Sequence, residues 1–301
     1  MLGEFFDNLW VSMAGAVEYN RKNAAPINVD GFPNLILDPR TGSQSERQYF
    51  AWDVLRYQIR HSLTEDGKLG PSTRGHMEKS PEGTGRGFWH NGVLIDAPIV
   101  VETDHWTSKT SSRGNYGIQW VVVHWNGKNV EHCIRTLESA NASTHFIVGK
   151  HEGAGGLPAI VHQLADTFDK AWHAGEYNAR SIGVDIAQRI QADSLHEYLE
   201  AGYDVQVIDN FERRPDGSKW GQDQVLSLDP KIARQTNELL HALCDAYGIP
   251  KKIPRDHSLM SDDFWRANKG VVFHSHLVAT KWDVAPWFDQ LVDGFELVEI
   301  S

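Results

Sequence analysis

Cysteine is scarce in this chain: Cys133 and Cys244 are the two among 301 residues, and no CxxC spacing exists. Two buried thiols in a reducing compartment, each in a segment that reads as helix, are therefore expected rather than a disulfide. Long apolar runs are missing as well. None approaches the ~18–20 residues that a membrane span requires. Positive charge is in deficit, with a formal net charge of −11. That balance argues against a protein held to nucleic acid by phosphate contacts, and it gives no electrostatic pull toward an anionic membrane or cell wall. Whatever is bound is bound by local fit. The opening stretch "MLGEFFDNLWVSMAGAVEYN" has no basic n-region, and Glu4 and Asp7 interrupt its apolar residues. A signal peptide is not expected, so synthesis in the cytoplasm is, with release or delivery if the protein acts outside. No internal repeat is visible.

What is present is ordinary for a soluble globular chain: 41% hydrophobic and 23% charged residues, enough length for one large domain or two modest ones. Tryptophan is abundant, at 11, and reads first as core material and second as contact surface for carbohydrate or a partner. Phe5, Phe6, Leu9, Trp10, Met13 and Val17 recur at helical spacing, a face for packing or for docking to a partner or particle. Residues 24–46 read as loop, and a second helix is expected from Arg47 to about Leu63, with Phe50, Val54, Tyr57 and Gln58 on a mixed face. Residues 67–92 are dense in Gly, Pro and Ser and read as a linker. Two parts follow from this: an accessory region over residues 1–92 and a catalytic or binding domain over residues 93–301.

The second part alternates strands and helices. "VLIDAPIVVE", "IQWVVVHW", "STHFIVG", "AIVHQL" and "SIGVDIA" read as strands, and "NVEHCIRTLESA" as a helix. Asp229-Pro230 supplies an N-cap and a first-turn proline for a helix that Gly248 closes, and a last helix is expected from Ala285 to Val292. Residues 189–227 read as a polar surface excursion. The alternation indicates an α/β fold with a central sheet.

Four elements carry candidate chemistry. His124 ends the "VVVHW" strand. "AWHAGEYNARSIGVDI" ends near Asp185, a carboxylate flanked by Val184 and Ile186 that is costly to bury without a partner. His274 and His276 share a face if their segment is extended, and Lys281 and Asp283 follow with the same spacing. A hydrolytic zinc site needs three protein ligands and an open position for water, and such a site lowers the pKa of its water toward ~7. His124, His274 and Asp283 as ligands, Asp185 as base and Lys281 as electrostatic partner fill those roles. A structural histidine at the strand end and a solvent-facing aspartate are the plain alternatives.

In their order, "VVVHW", "ASTHFIVG", "AWHAGEYNARSIGVDI" and "HSH…ATKWD" resemble the signature of zinc-dependent N-acetylmuramoyl-L-alanine amidases of the amidase-2 type. That family takes in phage lysozyme-type amidases and the peptidoglycan recognition proteins. The resemblance covers about residues 117–295. It implies a central mixed sheet flanked by helices, and Zn2+ held by His124, His274 and Asp283. It implies catalytic roles for Asp185 and Lys281, and substrate contacts at His173, Trp172 and Asn178. Departures exist. The tyrosine of the phage branch is Thr144 here, the acid of the recycling branch is the shorter Asp185, and the usual "DPG" reads Asp283-Val284-Ala285-Pro286. His276 stands open as a replacement for His274. The implied activity is hydrolysis of the amide between N-acetylmuramic acid and L-alanine in peptidoglycan. The alternatives are a non-catalytic peptidoglycan-binding module docked to a larger particle, and a zinc peptidase on the stem peptide. A lysin or delivered effector acting on the bacterial wall suits the unfamiliar N-terminal third better than a recycling enzyme.

Overall fold

The computed structural model describes residues 13–26, 38–41, 43–60, 67–74, 86–103, 105–210, 222–255, 259–278, 280–281 and 283–300. Two compact units divide at Arg86 and Gly87. The first contains the helices Met13–Asn23 and Gln44–Arg60. Val17, Ala16 and Ala51 pack together there, and Phe50 and Val54 are buried. Most of the apolar face expected over Phe5–Trp10 lies outside the described residues. Buried amides fasten what reads in sequence as the start of a linker: Asn20 Nδ2 donates to Gly67 O and Asn20 Oδ1 accepts from Leu69 N, both at 2.8 Å. Residues 67–70 thus belong to this unit.

In chain order the strands are β1 (Arg86–His90), β2 (Val93–Glu102), β3 (Thr110–Ser112), β4 (Trp120–Trp125), β5 (Phe146–Gly149), β6 (Ile160–Gln163), β7 (Asp169–Ala171), β8 (Ser181–Ala187), β9 (Val207–Asp209), β10 (Gln224–Leu226), β11 (Lys252–Pro254), β12 (Gly270–Phe273) and β13 (Glu296–Val298). Seven of them form a mixed sheet in the order β1-β2-β6-β5-β8-β4-β12. The pairs β2–β6, β5–β8, β8–β4 and β4–β12 are parallel, and β5–β6 is antiparallel. The expected boundary at residues 92/93 falls in the turn between β1 and β2. Asn91 (φ 52°) and Gly92 (φ 69°) make that turn, and Asp166 accepts both of their N–H groups at 2.7 and 2.8 Å. An Asn-Gly hairpin signal had been absorbed into the glycine-rich stretch.

Strand alternation sorts the sheet into two faces. Val121, Val123, Phe146, Val148, Val161, Ile182, Val184 and Ile186 enter the main core. The Pro230–Tyr247 helix packs over this face through Leu239, Leu240 and Leu243. Asp229 caps the helix by accepting from Lys231 N, and its second oxygen lies 2.7 Å from the fully buried Lys150 Nζ. Gly248 closes the helix in the left-handed region (φ 60°), where a side chain is disfavoured. On the opposite face the Val130–Ser139 helix lays Val130, Cys133 and Leu137 on Ile147 and Ala187. Cys133 and Cys244 are both buried and free.

The segment expected as a surface excursion, residues 189–227, is only partly one. Ile190, Tyr198, Tyr203, Val205, Val225 and Leu226 are buried in the main core, and the stretch includes β9, β10 and the Leu195–Glu200 helix. Its polar centre, residues 211–221, lies outside the described residues. Its scattered apolar residues follow no single period, which concealed their burial.

Candidate metal centre

Parallel pairing of β4 with β8 sets His124 directly opposite Asp185. Paired residues point to the same face, so both side chains emerge on the side away from the Pro230–Tyr247 helix. Pairing of β12 with β4 carries Phe273 beside Val123, which delivers His274 to the end of the same strand pair. The chain then turns back and brings Asp283 to the two imidazoles. His124 Nδ1 and His274 Nδ1 are 3.0 Å apart, His274 Nδ1 is 3.0 Å from Asp283 Oδ2, and His124 Nδ1 is 3.9 Å from that same oxygen.

The outer hydrogen bonds define which atoms these groups present. His124 Nε2 lies 2.9 Å from His173 Nδ1, His173 Nε2 lies 3.2 Å from Ser181 Oγ, and Ser181 Oγ donates to Tyr177 O at 2.8 Å. With the serine proton spent on a carbonyl, Ser181 Oγ accepts from His173 Nε2–H. His173 Nδ1 then accepts from His124 Nε2–H. The chain leaves the His124 Nδ1 lone pair facing His274 and Asp283. Burial, followed by the charges of His274, His173 and Lys281, holds His124 well below the usual histidine range, so it stays neutral. Burial, Arg113 and His274 push His173 down to about 3. Two imidazole nitrogens, of which that of the neutral His124 is an acceptor, and a carboxylate oxygen thus converge on one point. These residues could hold a divalent cation, and the N, N, O donor set and the separations suit zinc.

Asp185 is 4% exposed, and its Oδ2 is buried without a hydrogen-bond partner among the described residues. Burial pushes its carboxyl up to about 7, against a lowering hydrogen bond from Thr144; Asp283 raises it and Lys281 lowers it. It is a buried acid poised near neutrality beside the cation-binding cluster. Lys281 is exposed, and its charge acts on both His124 and Asp185.

The expected substrate contacts fall in three different places. Trp172 is 51% exposed, with Lys170 Nζ 5.5 Å above its ring. His173 lies against His124 and acts first as its orienting partner. Asn178 is buried, and its Oδ1 accepts from the N–H of His173 (3.0 Å) and Ala174 (2.6 Å), which fixes the turn that carries His173. A Cβ on Gly183 would stand 2.7 Å from His173 Cγ and 2.8 Å from Thr144 Oγ1, so only glycine admits the imidazole there.

His276 does not share a face with His274. Residues 274–276 form a 3-10 turn rather than an extended segment. The fully buried His276 ring stacks on Phe273 at 5.5 Å, and its Nδ1 accepts from Phe273 N at 2.9 Å. Among the described residues, the group of ligand atoms around His124 and Asp283 includes His274 and not His276. Past Asp283 the altered "DPG" turn puts the fully buried Val284 at φ 58°, ψ −5°. A β-branched residue held there costs about 1–3 kcal/mol. Packing of Val284 in the main core offsets it.

Arg113 gave no signal in sequence. It is buried, and its Nη1 donates to Ser181 O (2.8 Å), Asn178 O (3.1 Å) and Ala179 O (3.2 Å). A lone arginine before a glycine says nothing of three carbonyls 65–68 residues away.

Among solved structures, the chain is similar to the Staphylococcus aureus hydrolase AmiA in complex with its ligand, at 18% identity over 66% of this chain and 82% of that one, with a TM-score of 0.38. It is similar to the endolysin amidase LysCS of Clostridium intestinale, at 14% identity over 59% of this chain and 82% of that one, TM-score 0.34. It is also similar to the Escherichia coli amidase AmiD in complex with anhydro-N-acetylmuramic acid-L-Ala-D-gamma-Glu-L-Lys, at 18% identity over 55% and 54% of the two chains, TM-score 0.30. Among curated protein sequences none matches. The model of the family described as N-acetylmuramoyl-L-alanine amidase matches residues 114–286, more than half of the chain, and includes His124, Asp185, His274 and Asp283. The chain belongs to the N-acetylmuramoyl-L-alanine amidase family, Amidase_2.

Proposed function

We propose that this amidase cleaves the bond between N-acetylmuramic acid and L-alanine with a zinc ion held by His124, His274 and Asp283, and with Asp185 as its base. The observation that supports the reading is the triangle of nitrogen and oxygen atoms at 3.0, 3.0 and 3.9 Å, with the outer nitrogen of His124 tied to His173. When bound, the ion supplies Lewis acidity and a water acidic enough to attack near neutral pH. The chain's residues do the rest. Asp185 takes the proton from the attacking water and returns it to the nitrogen of L-alanine as the C–N bond breaks. Lys281 lends positive charge as the carbonyl oxygen becomes anionic. His173 and Ser181 keep the His124 tautomer fixed through turnover. Trp172, exposed beside His173, offers an aromatic face to the muropeptide.

The products are a free lactyl carboxylate on the sugar and an intact stem peptide with a new L-alanine amine. The compact unit ending at Arg86 supports the further reading of residues 1–92 as a docking region, in a lysin or effector released or delivered to the wall. The test is digestion of purified peptidoglycan with and without a chelator, followed by mass analysis. Intact stem peptides free of muramic acid, lost with chelator and restored by zinc, are expected. Fragments of the stem peptide would indicate a peptidase. Bound metal with no new amines would indicate a binding module.

A further inference from the structure

A second cluster of metal-binding side chains lies on the same face of the sheet. The register row that pairs His124 with Asp185 continues across β5 and β6: Ile147 pairs with Asp185, His162 with Ile147, and Glu102 with His162. At a strand spacing of about 4.8 Å, His162 is about 14 Å from His124 along this row. His151 follows β5 by two residues and returns to the face of Ile147. Its ring meets that of His162 edge to face, with centroids 5.1 Å apart. His162 Nε2 stands 3.7 Å and His151 Nε2 4.0 Å from the same oxygen, Glu102 Oε2. One donor atom from each residue falls within 4.8 Å of the others.

Three features favour a cation over a simple ion pair. First, these separations exceed hydrogen-bond length, but they approach the about 3.3–3.4 Å between ligand atoms of a tetrahedral ion with 2.0–2.1 Å bonds. Second, the outer nitrogen of His151 is already placed: Nδ1 lies 2.6 Å from Glu131 Oε1, and Glu131 Oε2 accepts from Glu152 N at 3.0 Å. A histidine that donates Nδ1–H to a carboxylate turns the Nε2 lone pair inward, the usual arrangement around a bound metal. Third, charge balances: Glu102 and Glu131 bring two carboxylates to a divalent ion. His162 and Glu102 are buried, while the His151 side chain is 20% exposed, so the cluster meets solvent on the His151 side.

We propose that Glu102, His151 and His162 form a second site for a divalent metal of the zinc class, oriented by Glu131. It ties β2, the turn after β5, and β6 together, and it is separate from the catalytic cluster. Its two imidazoles and single carboxylate select zinc, cobalt or nickel over calcium or magnesium.

The test is zinc content of the untagged full-length protein after equilibration with zinc and removal of excess. The wild type is expected to hold two zinc ions per chain. His124→Ala is expected to hold one, as are Glu102→Gln and His151→Asn, and the combination His124→Ala/His151→Asn none. In the His124→Ala background, zinc at a hundredfold excess over Kd should raise the melting temperature by about 5 °C or more, and His151→Asn should abolish that rise. His151 sits in a partly exposed turn, so its variant reports even if Glu102→Gln does not fold. One zinc in the wild type that vanishes in His124→Ala would overturn the second site and mark Glu102 and its histidines as an ion pair. One zinc that survives His124→Ala and vanishes in His151→Asn would keep the second site while removing the ligand set proposed for catalysis.

Discussion

One face of the sheet carries Val121, Val123, Phe146, Val148, Val161, Val184 and Ile186 under the Pro230–Tyr247 helix. The other carries His124, Asp185, His162 and Glu102 in a single register row, between apolar clusters at Ile147 with Ala187 and at Trp120 with Val272. The same strands supply both. Neighbours in the chain, such as Val123 and His124 or Val184 and Asp185, go to opposite fates because the pleat has period two. A slip of one residue would put the imidazole into the apolar core under the helix and the valine into the candidate site. Stability and chemistry are thus separable by substitution.

The largest expected effect is on the chemical face. His124→Ala or Asp283→Ala should remove the first metal and reduce amide hydrolysis to background while the apolar core stays intact, checked by product mass together with circular dichroism. Asp185→Asn should retain zinc yet lose about 10²–10⁴ in kcat. It should also stabilise the metal-free protein. The folded carboxyl is raised from its ordinary 3.8 to about 7, so its contribution to stability is present below pH 3.8 and is lost as pH rises to about 7. The amide has no such loss. The gain of Asp185→Asn therefore grows between pH 4 and 7 and levels off above, at on the order of 1–3 kcal/mol in denaturant titrations. On the proposed mechanism the ionised form is the active one, so kcat should fall as pH drops. A cation bound at the proposed site would lower the Asp185 pKa and place this acid limb at or below 7.

Smaller effects sharpen the division. Removing the imidazole in His173→Ala, or crowding it in Gly183→Ala, should weaken zinc at the first site about 10- to 100-fold without abolishing turnover at saturating zinc. On the opposite face Leu240→Ala should cost about 2–5 kcal/mol of stability and leave kcat at 20 °C nearly unchanged. A comparable loss of kcat in Leu240→Ala would break the separation of the two faces.

The sequence made the strand cores legible because β-branched runs such as "VVVHW" and "SIGVDIA" have few alternatives. It also made the helix caps legible, because Asp229, Pro230 and Gly248 act locally. His124, His274 and Asp283 stood out by their order and chemistry, and the structure brings the three together. Their outer partners did not stand out as such. His173 and Asn178 stood out only as substrate contacts; the side-chain pairing of His173 with His124 and Ser181, and the backbone bonds of Asn178 and Arg113, arise only once the chain turns. His276 misled because alternation holds only for extended chain, and residues 274–276 coil. Glu102, His151 and His162 come from strands and a turn that are neighbours only through the β2-β6-β5 pairing, so their spacing matches no ligand motif.

The central claim is that one divalent ion sits among three side chains that the fold gathers at the end of β4. Anomalous diffraction at the zinc edge, from crystals of the zinc-loaded protein, tests it most directly. A peak about 2.0–2.2 Å from His124 Nδ1, His274 Nδ1 and Asp283 Oδ2 is predicted. Fully loaded crystals with no peak among those three atoms would contradict the account.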